Sequence, residues 1–149
     1  MGRSKIESRL KQFESLCRER GLPLTVQRCD IFRAVLERDD HPTADQVYEA
    51  VRGGIPGLSL TTVYRVLDTL VGLGVIRRLH HPGAGTRFDG KVHRHHHLIC
   101  TKCHKVVDIE SPSLDGLELP AGYEEEFEID DYAVHFFGIC AACRRATQG

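Results

Sequence analysis

The chain is 149 residues long, 41 % hydrophobic and 28 % charged, with a net charge of −1 at pH 7. Those proportions suit a soluble globular protein of one ordinary domain or two small ones. They exclude a membrane-spanning helix, since no run of about eighteen apolar residues occurs, and the opening MGRSKIESRLKQ lacks the apolar core of a secretory signal, so a cytoplasmic protein without a membrane partner is expected.

The first stretch, Ser4 to Arg20, spaces Ile6, Leu10, Phe13 and Leu16 by four, three and three residues. That is the period of a helix with one buried face, and Gly21 and Pro23 end it. A second helix is predicted from about Thr25 to Glu37, with Val26, Cys29, Ile31, Phe32 and Leu36 as inward candidates, broken by Asp39-Asp40-His41-Pro42. Thr43-Ala44-Asp45-Gln46 fits a capping box, in which a hydroxyl and an amide side chain satisfy the free N–H groups of a helix start. The short helix it opens carries Val47, Tyr48 and Val51, and Gly53 to Gly57 closes it.

Ser59 starts the next helix, predicted over Leu60 to Leu73. Its apolar face is Leu60, Val63, Leu67, Leu70 and Val71; the other face shows Thr61, Thr62, Tyr64, Arg65 and Asp68. After Gly72 and Gly74 the pattern becomes that of strands, Val75 to Leu79 and Thr86 to Asp89, around a turn at His81-Pro82-Gly83-Ala84-Gly85. Helices followed by a β-hairpin is the order of a winged helix-turn-helix, whose last helix enters the major groove while the hairpin flanks the backbone.

Beyond Gly90 the reading is mostly β. A strand is predicted from His95 to Ile109, interrupted by Cys100-Thr101-Lys102-Cys103, then a short helix over Ser113 to Leu119. A further strand from Glu124 to Ile139 ends in Cys140-Ala141-Ala142-Cys143. The predicted fold class is therefore α+β: a winged helix over residues 1–90 and a small α/β domain over 91–149. Charge divides the same way, with 14 Lys/Arg against 11 Asp/Glu before residue 91 and 6 against 10 after it, a mildly basic front and an acidic back.

The two Cys-x-x-Cys pairs are the strongest motif. Two residues between cysteines let both thiolates of one turn reach one ion, and two such turns complete a closed tetrahedral four-sulfur site suited to structural zinc. Redox-active dithiols would instead use a single pair at a helix start following a strand. Cys17 and Cys29 lie outside this pattern and read as buried or free thiols.

His93-Arg94-His95-His96-His97 precedes the first pair. On a strand His93, His95 and His97 share one face and His96 takes the other. Asp108 follows on the same sheet and Asp89 ends the predicted hairpin, so imidazoles and carboxylates are available together. Such an N/O donor set suits iron(II), manganese(II) or zinc(II).

These residues resemble a known family. His41-Pro42-Thr43-Ala44-Asp45, Thr62-Val63-Tyr64-Arg65-Val66-Leu67, Arg87-Phe88-Asp89, His95-His96-His97-Leu98-Ile99-Cys100 and the paired Cys-x-x-Cys motifs are similar, in order, to those of the ferric uptake regulator family. The resemblance runs from about Gly21 to Cys143. It implies a homodimeric bacterial repressor in which the C-terminal α/β domain dimerises and a metal between the domains sets the angle of the winged helices. It places structural zinc on Cys100, Cys103, Cys140 and Cys143, and a regulatory iron(II) or manganese(II) on His41, Asp89, His95, His97 and Asp108. Spacing alone does not find His41. Operator DNA would be read by Thr61, Thr62, Tyr64 and Arg65.

Iron-uptake members usually carry Glu at the positions of Asp89 and Asp108, whereas the peroxide-sensing branch carries Asp, so the resemblance favours peroxide sensing. Tyr64-Arg65-Val66-Leu67 looks more like the iron-uptake members, whose reading as an iron-responsive repressor is the alternative. A third metal site of some members is poorly matched, because Arg94 and Tyr132 stand where ligands would be expected; His96, Asp115 and His135 could form another arrangement or be solvated. A zinc hydrolase built on His95 and His97 would need an open coordination position and a substrate cleft, for which the sequence has no base motif or spare length. A plain metal buffer needs no recognition helix. No enzyme and no small organic substrate are expected.

Overall fold

The computed structural model describes residues 1–81, 83 and 85–148, and divides into two compact units, Met1–Val92 and His93–Gly149. Among the described residues no helix is long and apolar enough to cross a membrane. Pro82 and Ala84 of the predicted hairpin turn lie outside the described residues.

The first unit runs α1 (Arg3–Glu19), α2 (Val26–Leu36), α3 (Ala44–Val51), a 3-10 turn, α4 (Leu60–Gly72), β1 (Arg77–His81) and β2 (Gly85–Asp89). It is a winged helix-turn-helix preceded by one extra helix. Each short helix has its cap: the Thr25 hydroxyl accepts from Arg28 N, Thr43 and Gln46 form the full capping box, and Ser59 accepts from Thr62 N. One such cap contributes about 1 kcal/mol, which matters for helices as short as α3. Phe13 of α1 and Phe32 of α2 meet edge-on with centroids 5.1 Å apart, inside a core that takes Leu10, Ile31, Val35, Val47, Val63, Leu67, Leu70 and Phe88.

The inward faces differ in part from expectation. Val26 is 72 % exposed and Cys29 half-buried, while Val66 replaces Leu60 and Val71 among the buried residues of α4. The first strand begins at Arg77 rather than Val75 because α4 ends in a Schellman cap. Gly74 (φ +73°) donates to Val71 O and Val75 donates to Leu70 O, so Val75 still satisfies helix carbonyls. Arg9 of α1 ties down both ends of the hairpin, donating 2.6 Å to Val75 O and 2.8 Å to Gly90 O. A Cβ at Gly90 would stand 2.9 Å from Leu36 Cδ2 and 3.4 Å from Leu36 Cα, so a larger residue there would have to displace the buried Leu36 side chain.

The second unit holds β3 (His96–Cys100), β4 (Val106–Ile109), a single-turn helix α5 (Pro112–Asp115), β5 (His135–Gly138) and α6 (Ala141–Thr147). Its sheet has the order β4-β3-β5, with β4 antiparallel and β5 parallel to β3. His97 pairs with Asp108 on one side and His135 on the other; Leu98 pairs with Val107 and Phe136. One face thus carries a polar row and the other an apolar one, whose members are all exposed by two-fifths or more.

Two expectations are corrected here. The helix predicted over Ser113 to Leu119 is one turn that ends at Gly116, and the strand predicted over Glu124 to Ile139 shrinks to His135–Gly138. Phe127 and Ile129 alternate with acidic residues as a strand would, yet both are more than half exposed. The period is present, but among the described residues no partner strand of this unit pairs with them to bury it.

Candidate metal centres

The first centre grows from the ends of the sheet. β3 stops at Cys100, a tight turn carries Cys103, β5 stops at Gly138, and Cys140 caps α6 with Cys143 in its first turn. Left-handed His104 (φ +64°) closes the first turn, with its N–H on Cys100 O. Thr101 N donates 2.8 Å to Gly138 O, which joins the two turns. The four Sγ atoms lie within 4.8 Å of one another, with Cys100–Cys143 at 3.9 Å and Cys103–Cys140 at 3.8 Å. Zn–S bonds of about 2.3 Å at tetrahedral angles put sulfurs about 3.8 Å apart, so the donor set and its spacing fit zinc. The thiols are already differentiated. The backbone N–H groups of Cys103 and Cys140 pull the Cys100 thiol down to about 5, and that of Cys143 lowers Cys140. The thiols of Cys103 and Cys140 push Cys143 up to about 12. Helix α6, with Arg144 and Arg145 in its last turn, was not anticipated from the sequence. Its signal was present in the cations that complement a helix C-terminus.

Histidines and aspartates form a ligand half-set in each unit. In the first, His41 Nε2 stands 3.0 Å from Asp89 Oδ2, both side chains being over nine-tenths buried. His41 adopts φ +55°, a left-handed backbone that costs a non-glycine residue about 1 kcal/mol or more and clusters at functional sites. Pairing with the wing holds it there: Arg87 Nη1 donates 3.1 Å to His41 O, and Phe88 N donates 2.9 Å to Pro42 O.

In the second unit His95 and His97 are buried, their rings 4.8 Å apart, and their Nε2 atoms stand 3.6 and 3.7 Å from Asp108 Oδ1. His95 Nδ1 lies 2.8 Å from His93 O. A carbonyl only accepts, so Nδ1 donates to it and Nε2 is the ring nitrogen turned towards the carboxylate. Separations of 3.6 and 3.7 Å are too long for hydrogen bonds, and a ring oriented through its other nitrogen is how metal-binding histidines are held. The donor chemistry fits a divalent ion. His93, expected on the same face, instead precedes β3, is half-exposed and meets Glu110 Oε1 at 2.9 Å.

The possible third arrangement is separated by the sheet. His96 points away from the His97 row, is fully buried, and uses both ring nitrogens: Val134 N donates to Nδ1 at 3.0 Å, and Nε2 lies 2.9 Å from Asp115 Oδ1. Arg94 stacks over Tyr132 at 4.5 Å and donates to Asp131 Oδ1 and Asp115 O. Tyr132 in turn donates to Leu114 O and accepts from Leu117 N. Arg94, His96, Asp115 and Tyr132 form a hydrogen-bonded brace, and His135 belongs to the opposite face.

Of the predicted DNA-reading residues, Thr61, Tyr64 and Arg65 are exposed near the start of α4. Thr62 is half-buried, its hydroxyl 2.9 Å from Ser59 Oγ, and serves the helix cap. Asp68 of α4 pairs with Arg78 of β1, fixing the helix against the wing.

The sequence pattern of the ferric uptake regulator family matches residues 19–144 of this chain. The peroxide-responsive repressor PerR of Staphylococcus epidermidis is 32 % identical over 139 residues, covering 93 % of each chain. Among solved structures, the ferric uptake regulator of Helicobacter pylori, described as having three functional metal-binding sites, superposes with a TM-score of 0.78 at 21 % identity over 93 % of each chain, a likeness of fold. That of Francisella tularensis, solved with iron, gives a TM-score of 0.69 at 26 % identity, with 83 % of this chain and 96 % of that one covered.

Proposed function

This chain belongs to the ferric uptake regulator family of metal-responsive transcriptional regulators, and from that premise we propose that it is a homodimeric repressor whose grip on operator DNA depends on a regulatory divalent ion and whose ferrous form responds to peroxide. Zinc at Cys100, Cys103, Cys140 and Cys143 is structural. The regulatory ion, iron(II) or manganese(II), takes His41 and Asp89 from the first unit and His95, His97 and Asp108 from the second. One ion shared by both half-sets couples metal occupancy to the disposition of the DNA-binding unit. Thr61, Thr62, Tyr64 and Arg65 read the operator, Thr62 through its support of the helix start. The exposed apolar row of Leu98, Val107 and Phe136 supports a dimer, since exposed apolar patches of this kind mark association surfaces. The ion is the small partner; no organic substrate is turned over, and the protein works in the cytoplasm.

The observation that carries the peroxide reading is the pair of carboxylates, Asp89 beside His41 and Asp108 beside His95 and His97. Iron(II) bound there would supply the reducing power that activates peroxide. His41 and His95, each beside one of those carboxylates, would take up the oxygen, and a histidine so modified no longer holds the ion or the repressing state. The named relative from Staphylococcus epidermidis supports the same branch. An iron-responsive repressor without peroxide sensing is the second reading, favoured by Tyr64-Arg65-Val66-Leu67 in α4 and by the likeness to the iron-bound Francisella tularensis protein. The test has two arms. Gel shifts on A·T-rich promoter DNA, with and without manganese or iron, should show metal-dependent binding. Mass spectrometry of the iron-loaded protein after brief peroxide exposure should show one added oxygen on the peptides holding His41 or His95. Unmodified peptides in a protein that still answers to iron would establish the second reading.

A further inference from the structure

β5 brings an unassigned histidine to the regulatory half-set of the second unit. Asp108, His97 and His135 are direct cross-strand neighbours on β4, β3 and β5. Side chains opposite one another in a ladder project to the same face, so all three form one row. The His97 and His135 rings meet edge-on with centroids 5.1 Å apart, close to the 4.8 Å that separates His95 from His97. Their surroundings are only partly open: His97 is 5 % exposed and His135 is half-buried. We propose that His135 is a further donor to the regulatory cation, making with His95, His97 and Asp108 a set of four donors carried wholly by the second unit.

This rests on the reading of His95, His97 and Asp108 as regulatory ligands and deepens it. Three imidazoles and one carboxylate are enough to hold a first-row divalent ion. The second unit can then load the ion before His41 and Asp89 engage, so that metal capture and the response of the DNA-binding unit become separable steps. The row also explains why a histidine stands on an otherwise apolar strand, His135-Phe136-Phe137.

The experiment uses the full chain with zinc on its cysteines, titrated with manganese(II) while free ion is counted by electron paramagnetic resonance. Wild type should take one further ion per chain. His135→Phe keeps an aromatic ring in the row but removes its nitrogens, and should weaken manganese binding by more than the roughly 10–100-fold that loss of a ligand's outer-shell partner costs, with an unchanged melting temperature. His41→Ala combined with Asp89→Ala should still take one ion, more weakly, and adding His135→Phe to that variant should abolish the residual binding. Equal affinity in wild type and His135→Phe would overturn the proposal, as would a His41/Asp89 double variant whose residual binding survives loss of His135. Failure of wild type to take any ion beyond zinc would sink the regulatory-site reading itself, a distinguishable result. Histidine ring resonances in the zinc-saturated chain give a second readout: His135 should shift on loading the second site.

Discussion

His96 presents a protonated Nε2 to Asp115 Oδ1 at 2.9 Å, because its other ring nitrogen already accepts the Val134 N–H at 3.0 Å. The ring has no lone pair left for a metal. Asp115→Ala strips the acceptor from a fully buried imidazole, but the Asp115 side chain is 42 % exposed, so water can partly replace it. The expected cost is about 1–2 kcal/mol, read as a lower urea midpoint with an unchanged slope. Metal content should stay unchanged. Loss of one bound ion from the variant would show that the cluster is a metal site after all.

Cys100→Ser or Cys140→Ser should remove one bound zinc and cost the second unit folding stability or dimerisation, beyond any effect on DNA. The turns around Cys100 and Cys140 are joined by Thr101 N–H and Oγ1 on Gly138 O and by Cys140 N–H on Cys100 Sγ, and structural zinc adds folding free energy directly because the unfolded chain has no preformed site. Zinc content, circular dichroism and sedimentation check this together. A stable folded dimer without zinc would overturn the assignment.

Zinc uptake should also release fewer protons than it has ligands. Cys100, lowered from 9.0 to about 5, favours the metal-free fold at high pH, a contribution present above its ordinary value and lost as pH falls through about 5. Cys143, raised to about 12, works in the opposite sense: its contribution is present below 9.0 and lost as pH rises towards 12. At about pH 8 Cys143 therefore gives up a proton to zinc and Cys100 gives none. Calorimetric titration in buffers of different ionisation enthalpy counts them. Release of four protons per zinc would contradict a preformed thiolate at Cys100.

Local signals carried most of this structure into the sequence. The caps at Thr25, Thr43 and Ser59, the helical period of α1 and the paired Cys-x-x-Cys turns each depend on neighbours within a few residues, and each is legible for that reason. His41 was found only through family resemblance, because what makes it a site is a left-handed backbone and a carboxylate 48 positions away in the chain. The role of His135 was equally hidden: its face is set by the register of β5 against β3, which no spacing along the chain records. The stretch from Glu124 to Asp131 misled in the opposite direction, since alternation describes a strand only when a partner is there to pair with it.

Arg65 should be the residue on which operator affinity turns. It is exposed on α4 beside Tyr64, while Asp68 one turn on is committed to Arg78. Arg65→Ala should cost about 1–3 kcal/mol on the cognate operator if its guanidinium grips a guanine edge. Fluorescence anisotropy on operator and scrambled duplexes at two salt concentrations separates the cases. Equal loss on both duplexes with a shallower salt dependence would make it a phosphate contact.

Peroxide sensitivity should depend on the length of the carboxylate at position 108. Asp108 Oδ1 stands 3.6 and 3.7 Å from the Nε2 atoms of His95 and His97, so one more methylene changes how both nitrogens and the carboxylate share an ion without removing a donor. Asp108→Glu should therefore keep metal-dependent DNA binding while losing most of its response to peroxide. Manganese(II) reacts far less readily with peroxide than iron(II), so the manganese-loaded wild type should stay on DNA through the same exposure and gain no oxygen on its His95 peptide. The comparison is an anisotropy time course on operator DNA, run anaerobically with each metal and then challenged with hydrogen peroxide. If iron-loaded wild type and Asp108→Glu leave the DNA at the same rate, carboxylate length does not set the sensitivity. If iron-loaded wild type stays bound throughout, the chain is an iron-level repressor and the paired aspartates answer some other need.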